Sequence, residues 1–288
     1  MEGIGAAGEG RRAMYLIHQT LRYDYPSPIA DLEHRLVVIP PEVHGDQRRI
    51  LHRLDVHGGP AAMVTHGEDV FGNPVIEMRV PRVRRSLTFE AWVLLRRSAV
   101  PEPPRLPATA LDDPLLHRPT ALTAPDAGLS AAARAHLGSG HTGLGLAEEL
   151  NGWVHRSMRY TRGVTGVSTT AAEALALGGG VCQDYAHVML AICRLCGLPA
   201  RYVSGHLLGE GATHAWVEVL LAEGDAAVAH AFDPTHGVRA GLRHLTVAVG
   251  RDYADVAPTS GTFRTGPSGA LTSRQRVTLM EGEEAVAG

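Results

Sequence analysis

Lysine is absent from this 288-residue chain, because all 27 basic side chains of the lysine and arginine type are arginine. It therefore offers no side-chain primary amine. Glutamine is scarce, at Gln19, Gln47, Gln183 and Gln275. The only cysteines are Cys182, Cys193 and Cys196, an odd number gathered on one apolar stretch, which argues against a disulfide framework and fits a reducing compartment. No apolar run approaches a membrane span, and residues 1–12 lack the apolar core of a secretory signal. The expectation is a cytoplasmic protein without membrane contact. A formal net charge of −3 supplies no global field toward nucleic acid. The short basic runs at 82–85 and Arg96-Arg97 read as exposed strand faces, without the wide stripe and aromatics that nucleic-acid binding requires. Sixteen histidines are scattered without H-E-x-x-H or a comparable spacing. Cys193-Arg194-Leu195-Cys196 falls late in a predicted helix and has no second ligand pair, so no metal and no cofactor is expected.

What is present is concentrated in three places. Gly178-Gly179-Gly180 precede Val181-Cys182-Gln183-Asp184-Tyr185-Ala186-His187. Glycines permit positive φ in a tight turn, and 181–196 is apolar nearly all round, as a buried helix should be. Cys182 would open that helix, where unpaired amides and the macrodipole favour a thiolate. The same amides, that of Cys182 among them, can stabilise the oxyanion formed when a thiolate attacks a carbonyl. Thr213-His214-Ala215-Trp216 begins a β-rich run that carries His214 on rigid scaffold. Asp233 ends 228–232 and precedes Pro234, which biases it to an extended backbone. A carboxylate so fixed can accept the second N–H of His214 and hold its tautomer. Cysteine, histidine and aspartate in this order supply the parts of a thiolate acyl-transfer site.

The blocks Gly180 to His187, Gly197-Leu198-Pro199-Ala200-Arg201-Tyr202-Val203-Ser204-Gly205, His214-Ala215-Trp216-Val217-Glu218, Phe232-Asp233-Pro234-Thr235 and Gly250-Arg251-Asp252-Tyr253-Ala254-Asp255-Val256-Ala257-Pro258 occur in order. Together they resemble the bacterial transglutaminase-like superfamily, which is papain-type. Segments 15–40 and 69–95, with Phe71-Gly72-Asn73 between strand-like runs, resemble the N-terminal β domain of that bacterial branch. His230-Ala231 departs from the Trp-Gly-like lead-in expected before Phe232. The resemblance implies Cys182, His214 and Asp233 as a triad. It also makes Tyr160 a candidate second oxyanion donor, with Trp153 the other upstream aromatic. Asp252, Tyr253 and Asp255 are candidate substrate contacts, or simply a turn held by aspartates. His187 is expected to be a core residue.

The fold class expected is α+β. A β-sandwich-like domain at 14–98 precedes a Pro-rich linker at 99–126 and a catalytic domain at 127–281, with the Cys182 helix packed on an antiparallel sheet. Strands are predicted at 14–20, 34–39, 50–56, 75–80 and 87–95, helices at 131–137 and 144–159, and a frayed tail after Gly282. The activity expected is cleavage of a peptide or isopeptide amide through a thioester, with a peptide or protein as substrate. Water is favoured as the resolving nucleophile, because an amine must be held specifically. Amine transfer and a non-catalytic peptide-binding scaffold are the alternatives. If the enzyme joins acyl groups to amines, a lysine-free chain cannot be its own lysine acceptor. Oligomeric state is not legible.

Overall fold

The computed structural model describes residues 12–59, 63–98 and 100–280; the predicted frayed tail lies outside them. Alternation of apolar and polar residues places seven strands first: β1 (Arg12–Asp24), β2 (Ile29–Leu36), β3 (Val43–His44), β4 (Gln47–His57), β5 (Met63–Glu68), β6 (Pro74–Val83) and β7 (Ser86–Ser98). In β7 every second side chain is buried, from Leu87 to Arg97, the period of a strand with one face on a core. Proline-dense chain follows, and it is ordered rather than loose. It contains β8 (Arg105–Pro107) and α1 (Pro114–His117).

The second half comprises α2 (Ala127–Leu137), α3 (Gly143–Ser157), β9 (Arg159–Tyr160), α4 (Ala171–Leu177), β10 (Gly179–Gly180) and α5 (Cys182–Leu195). It continues through β11 (Ala200–Leu207), β12 (Thr213–Glu223), β13 (Ala226–Asp233), β14 (Val238–Arg239), β15 (His244–Gly250) and α6 (Tyr253–Val256). Finally β16 (Thr259–Thr262) and β17 (Ala270–Met280) return to the first half.

Two sheets, in the orders β17-β1-β7-β4-β3 and β16-β2-β6-β5, face each other as a sandwich. Tyr15, Ile17, Leu32, Leu36, Met78 and Phe89 are among the side chains that fill it. Each sheet is completed by a strand from the C-terminal end, β17 beside β1 and β16 beside β2. A third, antiparallel sheet runs β14-β13-β12-β11-β15, with β8 paired to β13. Helix α5 packs against β11 and β12 and is enclosed by α2, α3 and α4. Its side chains from Asp184 through Arg194 are all buried, as its nearly uniform apolarity requires. The molecule is therefore α+β, with a strand-built first domain and a second in which a buried helix packs on an antiparallel sheet.

The third sheet is joined to the sandwich by side chains acting as a strand would. Gln47 donates from Nε2 to the Thr246 carbonyl (2.8 Å) and accepts the Thr246 N–H at Oε1 (3.0 Å). Asn73 repeats the pattern on Val249, at 2.7 and 2.8 Å. Both amides thus pair the free edge of β15, whose backbone groups would otherwise be buried without partners.

Candidate active site

The turn before α5 sets the position of Cys182, and its glycines do two different jobs. Gly178 takes φ +66°, closing α4 in the left-handed region. Gly179 and Gly180 do not share that conformation, contrary to the expectation for the whole triplet; they form β10, parallel to β9. Gly180 is required for space, since a Cβ there would collide with the side chain of Asp184. That carboxylate folds back to accept the Val181 N–H (2.7 Å) and the Thr165 hydroxyl (2.7 Å) at one oxygen. Burial raises its pKa against those hydrogen bonds. The chain consequently enters α5 with Cys182 as its first residue, whose N–H has no partner one turn back in the helix.

Cys182 is partly buried, and its Sγ lies 3.9 Å from the Thr213 carbonyl at the start of β12. The next residue on that strand is His214, which is 3% exposed. Its Nε2 is 2.8 Å from Asp233 Oδ2, and the nearby Cys182 sulfur also favours its charged form. Since an ionised carboxylate only accepts, Nε2 carries a proton and donates it to Asp233. Burial opposes charging the ring, but hydrogen bonds to Asp233 and Cys182 outweigh it and raise its pKa to about 10. The structure thus brings Cys182, His214 and Asp233 together from helix, strand start and strand end.

Asp233 is fully buried and is shared by more than one imidazole. Oδ2 also receives His236 Nδ1 at 2.7 Å and His244 Nε2 at 3.0 Å, while Oδ1 accepts the N–H groups of Thr235 and His236. Burial alone would raise its pKa, but the hydrogen bonds from His214 and His244 hold it far below the usual carboxylate range. One ligand atom from each of His214, Asp233 and His244 lies within 4.8 Å of the others, the spacing of a metal-ligand group. His244 does not suit that use. Its Nδ1 accepts the Gly241 N–H (3.2 Å), so its Nε2 is the protonated nitrogen and a hydrogen-bond donor. Glu210 stands at the mouth, with carboxylate oxygens 3.8 Å from His214 Nδ1 and 3.7 Å from His236 Nε2.

Tyr160 lies on β9 opposite Gly180 and is 50% exposed, so backbone pairing holds it two residues from the thiol. Trp153 instead packs edge-on against His136 between α2 and α3. His187 is a core residue whose Nε2 accepts the Tyr253 N–H at 3.2 Å. Asp252 accepts the Ala254 N–H at the start of α6, and Asp255 grips Arg251 through both guanidinium and backbone N–H. None of Asp252, Tyr253 and Asp255 is hydrogen-bonded to Cys182, His214 or Asp233. Glu210, His236 and His244 are the residues at the site that the sequence analysis does not single out. Of these, His236, three residues after Asp233, and Glu210, four residues before His214, are close enough in sequence to a candidate to have been found.

Comparison with known proteins places the geometry in context. Residues 131–249 match the family model of the transglutaminase-like superfamily, and residues 15–95 match that of the bacterial transglutaminase-like N-terminal region. An uncharacterized protein of Mycobacterium leprae is 30% identical over 271 residues, covering 87% of this chain and 92% of its own. An uncharacterized protein of Mycobacterium tuberculosis is 30% identical over 254 residues, covering 78% and 80%. A solved structure from Cytophaga hutchinsonii, described as a "putative cysteine protease", superposes with a TM-score of 0.76 at 20% identity. It covers 96% of this chain and 93% of the other, a likeness of fold.

Proposed function

The chain belongs to the transglutaminase-like superfamily, and from that premise we propose that it is a cysteine-dependent acyl-transfer enzyme acting on amide bonds of a peptide or protein. The observation that carries this reading is His214, buried and paired at Nε2 with the Asp233 carboxylate (2.8 Å), next in the chain to Thr213, whose carbonyl lies 3.9 Å from the Cys182 Sγ. The Cys182 proton passes to His214 Nδ1, and Asp233 steadies the resulting imidazolium through Nε2–H. The thiolate attacks the amide carbonyl. Negative charge develops on the carbonyl oxygen beside the Cys182 N–H, at the α5 N-terminus, with the Tyr160 hydroxyl as candidate second donor. Collapse breaks the C–N bond as the imidazolium returns its proton to the leaving amine, leaving a thioester on Cys182. Water then completes hydrolysis, or a primary amine completes transfer.

Hydrolysis is the favoured outcome, because water is ubiquitous and an amine must be held specifically. Amine transfer is the second reading, and a scaffold without chemistry the third. The discriminating experiment incubates the protein with a denatured model protein, with and without a fluorescent primary amine, beside Cys182→Ala. Cys182-dependent fragments or deamidation without added amine support hydrolysis, and Cys182-dependent labelling that needs the amine supports transfer. Neither product in either protein would refute enzymatic action on this substrate class and leave the scaffold.

A further inference from the structure

The carboxylate that orients His214 is itself oriented from outside the papain-type core. His244, the first residue of β15, is 9% exposed, and its Nε2 donates to the same oxygen of Asp233 that receives His214. The Gly241 N–H on its Nδ1 allows only that tautomer. The loop holding Gly241 and His244 is pinned by one residue of β7. Arg97 NH1 donates to the carbonyls of His244 (2.7 Å) and Gly241 (3.0 Å). Its Nε and NH2 form a two-point pair with Asp46, at 2.8 and 2.6 Å. Both partners are buried, and such pairs have fixed geometry. Downstream of His244, β15 is fastened by Gln47 and Asn73, which belong to the sandwich.

Four sandwich residues therefore converge on the short segment that presents His244 to Asp233. Hydrophobic docking alone would not require a buried arginine aimed at these two carbonyls, since burying a charge costs stability unless it is fully paired. We infer that His244 is a positioning residue for the Cys182–His214–Asp233 site, and that the N-terminal sandwich, through Arg97, Asp46, Gln47 and Asn73, is what holds it in place. Without the third donor, the Asp233 carboxylate is free to turn toward His236, whose Nδ1 competes for Oδ2 from the solvent side with Glu210 behind it. His214 then loses its fixed orientation. The inference rests on the triad reading above.

The test is the pH profile of Cys182 carbamidomethylation, followed by peptide mass spectrometry in the full chain, for wild type, His214→Ala, His244→Ala, His244→Gln and His244→Asn. A glutamine Nε2 falls where His244 Nε2 stands and can donate to Asp233. An asparagine is equally polar but too short to reach. With an upward shift of one unit in the profile, His244→Ala and His244→Asn label roughly tenfold more slowly than wild type at mildly acidic pH, while His244→Gln stays within about twofold. Thermal unfolding of each variant identifies any that fail to fold, and the Gln–Asn contrast decides between those two polar variants. A profile that moves in His214→Ala but is the same in wild type and both short His244 variants overturns the positioning role and leaves the triad. A wild-type profile typical of an ordinary thiol overturns both.

Discussion

The two faces of strand β12 are built from alternate residues of one short sequence and serve opposite ends. Ala215, Val217 and Val219 point at α5 and join an apolar core that needs nothing but shape. His214, Trp216 and Glu218 alternate with them, and each meets a polar or aromatic partner. Glu218 is 2% exposed and is shared by Arg201 (2.7 Å) and His44 (2.7 Å), the latter from the sandwich. Its pKa is about 2, because Arg201 and His44 outweigh its burial. Trp216 meets the His244 ring edge-on at 5.3 Å. Beside them lies a cavity of about 220 Å³ whose lining includes Asp46, Arg97, Trp216, Glu218 and His244. One face stabilises by excluding water. The other depends on every charge finding its partner, and it is the face that carries the candidate chemistry.

The sharpest way to break this contrast is to remove one partner from the polar face. Arg201→Ala leaves Glu218 buried with His44 alone, and the expected loss is about 3–5 kcal/mol in urea unfolding; a loss below about 1 kcal/mol would show that the pair behaves like a surface one. On the apolar face, Ile192→Ala in α5 should cost about 2–5 kcal/mol by cavity formation. Because Ile192 lies near the far end of α5, its loss should leave the pH profile of Cys182 labelling in place. A moved profile would mean the two faces are not separable.

The histidines extend the comparison to pH. His187 and His206 are buried, and desolvation lowers each to about 4. Below the unfolded value of about 6.5, the unfolded chain takes protons that these rings refuse in the fold. Stability is therefore lost as pH falls from 6.5 to about 4, by up to about 3 kcal/mol per ring. His214 has the opposite sign, raised to about 10. Its contribution is complete below 6.5 and is lost as pH rises through about 10. Urea unfolding at several pH values checks both limbs: His206→Gln should flatten the acid limb, and His214→Gln the alkaline one. The smallest effect belongs to the amide clamp. Asn73→Leu leaves the Val249 N–H and C=O unpaired at the β15 edge, for about 1–3 kcal/mol, and hydrogen exchange at the Val249 amide should rise with it.

Much of the fold was legible because its residues obey short-range rules. The period-two pattern of β7, the uniform apolarity of α5 and the glycine turn before Cys182 are each written in a dozen residues or fewer. Cys182, His214 and Asp233 were legible as candidates because a nucleophile at a helix start and a base on a strand occupy recognisable local contexts. What escaped is long-range. Strands β16 and β17 return to sheets begun more than two hundred residues earlier, and nothing in Ala270–Met280 names β1 as its partner. Arg97 reads as part of an exposed basic strand face, yet it is buried against Asp46, because only the assembled sandwich brings the two together. His244 was one of sixteen histidines, and its meaning depends on a carboxylate eleven residues away and an arginine in another domain. The third glycine of the turn was read as a conformational need. It is a steric one, visible only once Asp184 folds back.

The most direct test of the central claim is the rate of Cys182 alkylation by iodoacetamide against pH in wild type and His214→Ala, with Cys193 and Cys196 as internal controls. Burial raises both control thiols, so neither should react in the same window. The account predicts fast labelling of Cys182 alone at mildly acidic pH, lost or shifted upward without His214. An ordinary thiol profile for Cys182, unchanged by the loss of His214, would contradict it.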